Sequence, residues 1–405
     1  MNERRLTQLQ WLAIAIWTVM AVRLMIADVW DETNGMLAFS SAAMSLGQKL
    51  QFVLTQSLGF WRPLPTLVVA TVLHFVTDFD VSWRVLRFLN IAMLLGALTI
   101  LLRLTNREVR PLLTVAFLFS GSAVITAGWY ANVFDASALL LIAIALSLLL
   151  RGKDLAAGVV IGVAFFCKET AALALPFLLV LYAAKHITFK QALRAGIPAT
   201  VLGAIYFILR SKIVPFGGAG DVHGFDTQYF LPSLLNLGES FWEQTLKSPG
   251  YLGFVWLAFF LVMLRRVPVI AATIVFLLAT AIVYWGMFIE YQHGMLVHHL
   301  NFIGRLYLIP VTLMLMLLAL ERQRIAMAVL LLPILFGGIV TWRDHARVQR
   351  MYKRVYSTAM RGNVKPLTFH YPAKPLDDTV RGVKIGDIPN ASVTIDPKTG
   401  RLSYR

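Results

Sequence analysis

Long apolar runs separated by short polar loops make up the chain from residue 11 to residue 341. A membrane-spanning helix needs about 20 apolar residues, and the pattern predicts eleven such passages. They lie at 11–27, 84–102, 111–128, 136–150, 155–167, 171–184, 195–209, 250–264, 267–288, 306–320 and 325–341. The pieces within 155–184 are short, so this stretch predicts either two oblique helices that meet at Lys168-Glu169-Thr170 or one long span. That choice decides whether the number of spans is odd or even and therefore on which side of the membrane the C-terminus lies.

The first long loop, which follows passage 11–27, contains helical patterns of its own. Apolar residues recur there at spacings of three and four, which predicts a helix with one apolar face that lies along the membrane surface. These residues are Met36, Phe39, Ala43, Leu46, Leu50 and Val53. A second apolar piece, 64–77, follows Arg62-Pro63 and is too short to span comfortably. We therefore expect juxtamembrane helices in this loop.

Composition narrows the class of protein. Hydrophobic residues are 58% of the 405 residues and charged residues 14%, whereas a soluble domain has about 45–50% and about 25%. This excludes a soluble enzyme, a disordered chain and a disulfide-built secreted domain. The fold expected is an all-α polytopic membrane protein with about eleven transmembrane helices.

The net charge of +16 is distributed unevenly. With the N-terminus inside, the cytoplasmic loops hold fourteen basic and four acidic residues, which is the positive-inside pattern rather than a sign of nucleic-acid binding. Residues 1–342 are expected to form the transmembrane domain, and 343–405 a small polar tail of charge +8. Eleven passages place this tail outside the cytoplasm. Its strand-like segment 391–395 precedes a turn at 397–400.

Asp31 and Glu32 come directly after the first passage, in the sequence Asp28-Val29-Trp30-Asp31-Glu32. Paired carboxylates at a membrane boundary can accept a proton from an attacking hydroxyl or hold a metal beside a phosphate. The alternative is a solvated acidic loop end.

Arg62 is the second candidate, in Trp61-Arg62-Pro63. A guanidinium can hold a phosphate through two parallel hydrogen bonds, and Pro63 restricts Arg62 to extended backbone. In the alternative interpretation Arg62 contacts lipid headgroups while Trp61 anchors the interface.

Four later motifs follow these residues in a fixed order. They are Val85-Leu86-Arg87-Phe88-Leu89-Asn90, Gly128-Trp129-Tyr130-Ala131-Asn132-Val133-Phe134-Asp135, Phe166-Cys167-Lys168-Glu169-Thr170-Ala171 and Gly304-Arg305-Leu306-Tyr307-Leu308-Ile309-Pro310. As an ordered set over about residues 10–340, the pattern resembles the GT-C glycosyltransferases, in particular protein O-mannosyltransferases and bacterial aminoarabinose transferases. The chain differs from many relatives in having Arg62 where they have lysine.

The resemblance implies a reaction and a place for it. GT-C enzymes transfer a sugar from a polyprenyl-phosphate-type lipid donor to a glycan, lipid or protein acceptor hydroxyl, usually with inversion. The expected location is the inner membrane of a bacterium, with the active site facing the periplasm and no nucleic-acid partner. Asp31 would be the catalytic base, with Glu32 supporting it, and Arg62 would bind the donor phosphate. Asp135 matches a second acid.

Lys168 matches the lysine at the helix break of the family and is a possible active-site residue. A lysine in lipid needs a partner or water, so neighbouring Glu169 is the structural explanation that competes with this role.

The loop before passage 306–320 contains His299, Arg305 and Tyr307, which we expect to bind the donor phosphate. His223, in the loop 211–249, is a possible contact to the donor. His293, His298 and His299 allow a zinc site, but no carboxylate or cysteine stands at a tight ligand spacing. No required cofactor is predicted, and a divalent metal stays open.

Two other functions suit parts of the pattern. Broken helices with buried charge occur in transporters, so a flippase for lipid-linked sugars is one alternative, although the sequence has no internal repeat. An O-antigen polymerase or ligase is the other alternative. Such enzymes use basic residues of a late outer loop, and His299 and Arg305 lie in such a loop.

Overall fold

The apolar runs of the sequence form α-helices in the computed structural model of the protein. The structure describes residues 3–25, 45–55, 61–76, 79–128, 133–213, 230, 251–287, 308–331, 334–335, 338–339, 342–343, 370–371, 374–375, 379–380, 383–384, 393–395 and 402–404. The helices are α1 (Glu3–Met25), α2 (Leu46–Thr55), α3 (Pro63–Phe75), α4 (Phe79–Arg103), α5 (Arg110–Leu118), α6 (Gly121–Gly128), α7 (Val133–Leu150), α8 (Asp154–Phe165), α9 (Ala174–Ala183), α10 (Phe189–Ile213), α11 (Tyr251–Met263), α12 (Val267–Met287), α13 (Leu308–Leu320) and α14 (324–331).

Three of these helices are long and apolar enough to cross a membrane by themselves within the described residues. The qualifying segments are Arg84–Arg103, Val133–Leu150 and Phe189–Ile213. The pair α5 and α6 passes the same test only when the two are taken together. The all-α membrane class expected from the sequence is therefore supported, whereas the number of eleven spans is not confirmed.

The outer face of α10 shows why such a helix suits a membrane. Leu193, Ile197, Val201, Ile205 and Ile208 recur every three or four residues and are all exposed. A soluble protein would bury such a stripe, because exposing it to water costs about 25 cal/mol per Å² of apolar surface. Lipid tails in contact with this face remove that cost.

Passage 111–128 is not one straight helix. It breaks between α5 and α6, which are bent by 56°. The cause is local, since the backbone N–H of Ala123 donates to Ser120 Oγ at 3.2 Å and Ser120 thereby begins a new helix. A Cβ added at Gly338 would lie 1.9 Å from the Phe119 carbonyl oxygen, so the chain after α14 passes close against this break.

The stretch 155–184 forms two helices, as one of its two interpretations predicted. α8 ends at Phe165, Lys168 is extended, and a 3-10 helix (Glu169–Leu173) leads into α9. α8 packs along α10 in the same direction, because Gly158 approaches Ala195 and Gly162 approaches Leu202. The turn 184–188 joins α9 to the start of α10, so α9 returns the chain to that end. The break at Lys168 and Glu169 therefore lies at the opposite end of the bundle.

Five short basic turns meet at one end of the bundle. They are residues 104–109, 151–153, 184–188, 264–266 and 321–323. Glu321 connects three of them, since it pairs with Arg266 and lies 3.0 Å from His186 Nε2. Arg324 pairs with Glu108, and Gln191 donates to Asp154 at 3.3 Å. The loops that the charge pattern assigns to one side of the membrane thus share one end of the structure.

At the other end, Arg23 lies over the ring of Trp342, with 5.7 Å between its guanidinium carbon and the ring centre. In the tail, the described residues form three antiparallel hairpins. Their strands are β1 (His370–Tyr371), β2 (Lys374–Pro375), β3 (Thr379–Val380), β4 (Val383–Lys384), β5 (Val393–Ile395) and β6 (Leu402–Tyr404). β5, within the strand-like segment of the sequence, pairs with β6, whereas the turn expected at 397–400 lies outside the described residues.

Candidate functional site

The segment Trp61-Arg62 is fixed where α3 begins. Arg62 is the N-cap residue with φ −133° and ψ 73°, outside the helical region, as expected for a residue that precedes proline. The buried Trp61 ring stacks on Tyr206, with ring centres 5.6 Å apart, and meets Phe166 edge-on. The N–H of Leu64 also donates to the Phe166 carbonyl at 3.3 Å. These contacts bind the start of α3 to the break after α8 and to α10.

Glu169 is the centre of a buried network at this end. Its Oε2 accepts from Arg62 Nε at 2.9 Å, and its Oε1 lies 3.4 Å from Arg210 Nε. The Tyr206 hydroxyl oxygen lies 3.0 Å from the same Oε1 and 2.9 Å from the Trp61 carbonyl oxygen. The single hydroxyl proton is donated to one of these two acceptors. One carboxylate therefore holds two guanidinium groups that come from the start of α3 and the last turn of α10.

Asp135 and Lys168 form a second buried pair. Asp135 lies in the first turn of α7, and Lys168 Nζ is 3.4 Å from its Oδ2, with both side chains 2% exposed. The sequence suggested that Glu169 neutralises Lys168, but the structure pairs Lys168 with Asp135 and turns Glu169 toward the arginines. The Arg62 guanidinium lies over the ring of Phe134, at 5.4 Å, and so reaches the helix that carries Asp135.

Arg87 and Asn90, from the motif that opens the second passage, are also fully buried. Asn90 donates to the Thr126 carbonyl at 3.3 Å and so connects α4 with the last turn of α6. Polar residues buried among apolar helices are costly, so in membrane segments they are candidates for a functional site.

Several buried polar atoms around Glu169 have no hydrogen-bond partner in the described part of the chain. They are Trp61 Nε1, Thr170 Oγ1 and Arg210 Nε. Buried polar groups are normally satisfied, so these three atoms leave hydrogen-bonding capacity unused at residues of the network or next to it in sequence.

The structure brings three of the predicted site residues together. Arg62 pairs with Glu169 at the helix break, and Lys168, the residue before Glu169, pairs with Asp135 of α7. The other predicted residues lie outside the described residues. They are Asp31, Glu32, His223, His299, Arg305 and Tyr307.

Tyr206 and Arg210 belong to the network but were missed by sequence reasoning. Tyr206 lies within an apolar run and gives no signal of its own. Arg210 does give one, since a basic residue at the outer end of a span goes against the positive-inside pattern.

No group of three or more histidine, cysteine, aspartate or glutamate side chains that could hold a metal ion occurs among the described residues. The histidines considered for zinc, His293, His298 and His299, lie outside them. The described residues therefore do not change the expectation from the sequence, in which a divalent metal stays open.

Comparison of the chain with protein-family models, with curated proteins and with solved structures gave no match. The likeness to GT-C enzymes rests on the ordered motifs of the sequence.

Proposed function

We propose that the protein is a membrane glycosyltransferase that moves a sugar from a polyprenyl-phosphate-type donor to an acceptor hydroxyl on the non-cytoplasmic side of a bacterial inner membrane. The observation that carries the proposal is the buried network at the helix break, where Glu169 contacts Arg62 and Arg210 beside the pair Asp135–Lys168. This network lies at the end opposite the basic turns, where the periplasm would be.

The network suits the chemistry of a phosphate leaving group. When the bond between the sugar and the phosphate breaks, negative charge develops on the phosphate oxygens, and fixed cationic donors in a water-poor site stabilise that charge. Arg62 and Lys168 are such donors. Each is held by a carboxylate, which fixes its position before the donor arrives. A carrier with a polyprenyl tail also explains why the site belongs to a membrane protein.

The acceptor hydroxyl needs a base, and Asp31 is the residue proposed for it. Asp31 follows α1 in the sequence, and α1 ends at the side of the bundle where Arg23 meets Trp342. The basic turns lie at the other end. A carboxylate there would accept the hydroxyl proton while the oxygen attacks the anomeric carbon. Glu32 is proposed to support Asp31 or to orient the acceptor.

The decisive experiment replaces Asp31 by asparagine and measures sugar transfer from polyprenyl-phosphate-linked sugars in isolated membranes. The variant should insert normally and lose at least about 100-fold in rate, the scale of removing a general base. Asp28→Asn is the matched control, since it removes a neighbouring acid of the same loop and should leave the rate within about twofold. Near-normal transfer by Asp31→Asn, with normal protein levels, would contradict the proposed role.

A flippase for lipid-linked sugars is the second candidate, favoured by the break between α8 and α9 with its buried charges. The Asp31→Asn variant separates the two functions. A flippase, or a polymerase or ligase that works through the late outer loop, should keep most of its turnover, whereas a GT-C enzyme should lose it.

A further inference from the structure

Arg210 lies near the outer end of α10 and has few ionic or hydrogen-bond partners among the described residues. Its side chain is 14% exposed, and Glu169 is its ionic partner in the described part of the chain. Arg210 Nε lies 3.4 Å from Glu169 Oε1, but the two atoms are not aligned for a hydrogen bond. Nε therefore has no hydrogen-bond partner among the described residues. A guanidinium has five N–H donors, and nearly all of this capacity is unused toward the described residues.

Within the described part of the chain, the Glu169 carboxylate is shared by two cations. Its carboxylate carries one negative charge and faces two guanidinium groups, Arg62 on Oε2 and Arg210 on Oε1. Tyr206 competes with Arg210 for Oε1. Arg210 is 14% exposed and shares this carboxylate with Arg62, and a largely desolvated cation without a full counter-charge is costly, because the interior cannot solvate the remaining charge. An anion beside Arg210 would remove this cost.

We propose that Arg210, together with Arg62, binds the phosphate of a polyprenyl-phosphate lipid, and that Glu169 is the positioning residue that holds the two guanidinium groups. Guanidinium and phosphate match in geometry, since two N–H groups can donate in parallel to two phosphate oxygens.

The surroundings of Arg210 favour a phosphate that belongs to a lipid over free phosphate. Ile205, Ile208 and Leu209 lie within five residues of Arg210 and are exposed on the outer face of α10. A phosphate at Arg210 would place the first isoprene units of its tail against these side chains. Free inorganic phosphate has no group to occupy that face.

The choice of a polyprenyl phosphate rests on the proposed function, but the test measures binding alone. Purified full-length protein in detergent is titrated with undecaprenyl phosphate, with undecaprenol and with inorganic phosphate, and the fraction bound is read by native mass spectrometry or thermal shift. Wild type should prefer undecaprenyl phosphate to the alcohol by at least tenfold. Arg210→Ala should remove most of that preference and Arg210→Lys part of it. Lys212→Ala, an exposed cation two residues further on, should remove none.

Glu169→Gln gives the second, independent readout. Without the carboxylate the two guanidinium groups repel each other, so the melting temperature should fall in the absence of anion and rise more than in wild type when undecaprenyl phosphate is added. A purely structural Glu169 would lower the melting temperature equally with and without the lipid, which overturns its positioning role.

Unchanged lipid preference in Arg210→Ala overturns the site. Equal protection of wild type by inorganic phosphate overturns the lipid assignment. If lipid binding depends on Arg210 while Asp31→Asn transfers sugar normally, the proposed function fails and the binding site stands. If lipid binding does not depend on Arg210 while Asp31→Asn loses sugar transfer, the binding site is rejected and the proposed function stands.

Discussion

The two buried acids of the network, Glu169 at the helix break and Asp135 in the first turn of α7, are neutralised in different ways. Glu169 is shared by two guanidinium groups and a hydroxyl, whereas Asp135 meets the Lys168 ammonium. An ammonium is a compact point charge that depends on a close partner when buried, whereas the guanidinium spreads its charge over a plane. The Asp135–Lys168 pair should therefore be the more sensitive of the two to loss of one member.

Replacing Asp135 by asparagine should lower the free energy of unfolding by about 3 kcal/mol, the scale for leaving one member of a buried ion pair without its partner. The double variant Asp135→Asn with Lys168→Met should recover most of this loss, because the buried charge is removed as well. Unfolding in mixed micelles measures both. Ser137→Ala, two residues along the same helix, is the control. A double variant that is as unstable as the single one would show that the charges themselves are needed for folding.

Single residues were predictable where their chemistry contrasts with their surroundings. Arg62, Asp135 and Lys168 are charged residues at the ends of apolar runs, and all three reach the network. The pairing among them was not predictable, since Lys168 and Glu169 are neighbours in sequence but extended backbone at Lys168 sends their side chains to different partners. Tyr206 is an aromatic residue within an apolar run, so its chemistry does not contrast with its surroundings and it could not be predicted.

Helix α8 shows how close packing against a neighbouring helix supports a helix that is too short to span the membrane alone. Its twelve residues are about 18 Å long, too short to span hydrocarbon alone. Two glycines, Gly158 and Gly162, let it approach α10 so closely that backbone and side chains touch. A Cβ on Gly158 would lie 2.1 Å from the Ala195 carbonyl oxygen, which belongs to backbone and cannot move aside easily.

Gly158→Ala should therefore destabilise the protein by about 2 kcal/mol through overpacking, despite the better helix propensity of alanine. Gly196→Ala is the matched control on the facing helix. Its added Cβ would meet only Leu178 Cδ1 at 3.9 Å, so this change should be neutral or stabilise by up to about 1 kcal/mol. Unfolding in mixed micelles tests the pair, and equal effects of the two changes would contradict the close contact.

Element boundaries were predictable to within a few residues where apolar runs end at basic turns. The direction of a helix and its bending within a run could not be predicted from the apolar pattern. The 56° bend between α5 and α6 depends on Ser120 acting as an N-cap inside an otherwise apolar passage. Hydrophobicity alone does not register that local competition for backbone hydrogen bonds.

The whole molecule has two chemically distinct ends. At one end the basic turns bind one another through Glu321, Arg266 and His186. Three of these turns place a basic residue at positive φ, namely Lys185, Arg265 and Arg322, where glycine would be less strained. Basic residues kept at such positions agree with the positive-inside pattern expected from the sequence. The other end holds the buried network, so the basic turns that the charge pattern groups together lie at one end of the described structure.

The side of the tail, 343–405, is the last consequence of this polarity. Its charge of +8 would favour the cytoplasm, but long segments weaken the positive-inside rule, and the tail is about 60 residues long. The contact between Arg23 and Trp342 joins the end of α1 to the residue before the tail, away from the basic turns. We therefore predict that the tail lies in the periplasm.

Cysteine labelling in intact cells checks this prediction. With Cys167 replaced by alanine, Ser403→Cys should react with a membrane-impermeant maleimide before lysis. Lys190→Cys, exposed beside a basic turn, should react only after lysis. Labelling of Ser403→Cys only after lysis would place the tail inside. The bent pair α5 and α6 would then be the first suspect, because a pair bent by 56° that enters and leaves on one side changes the parity of the spans by one.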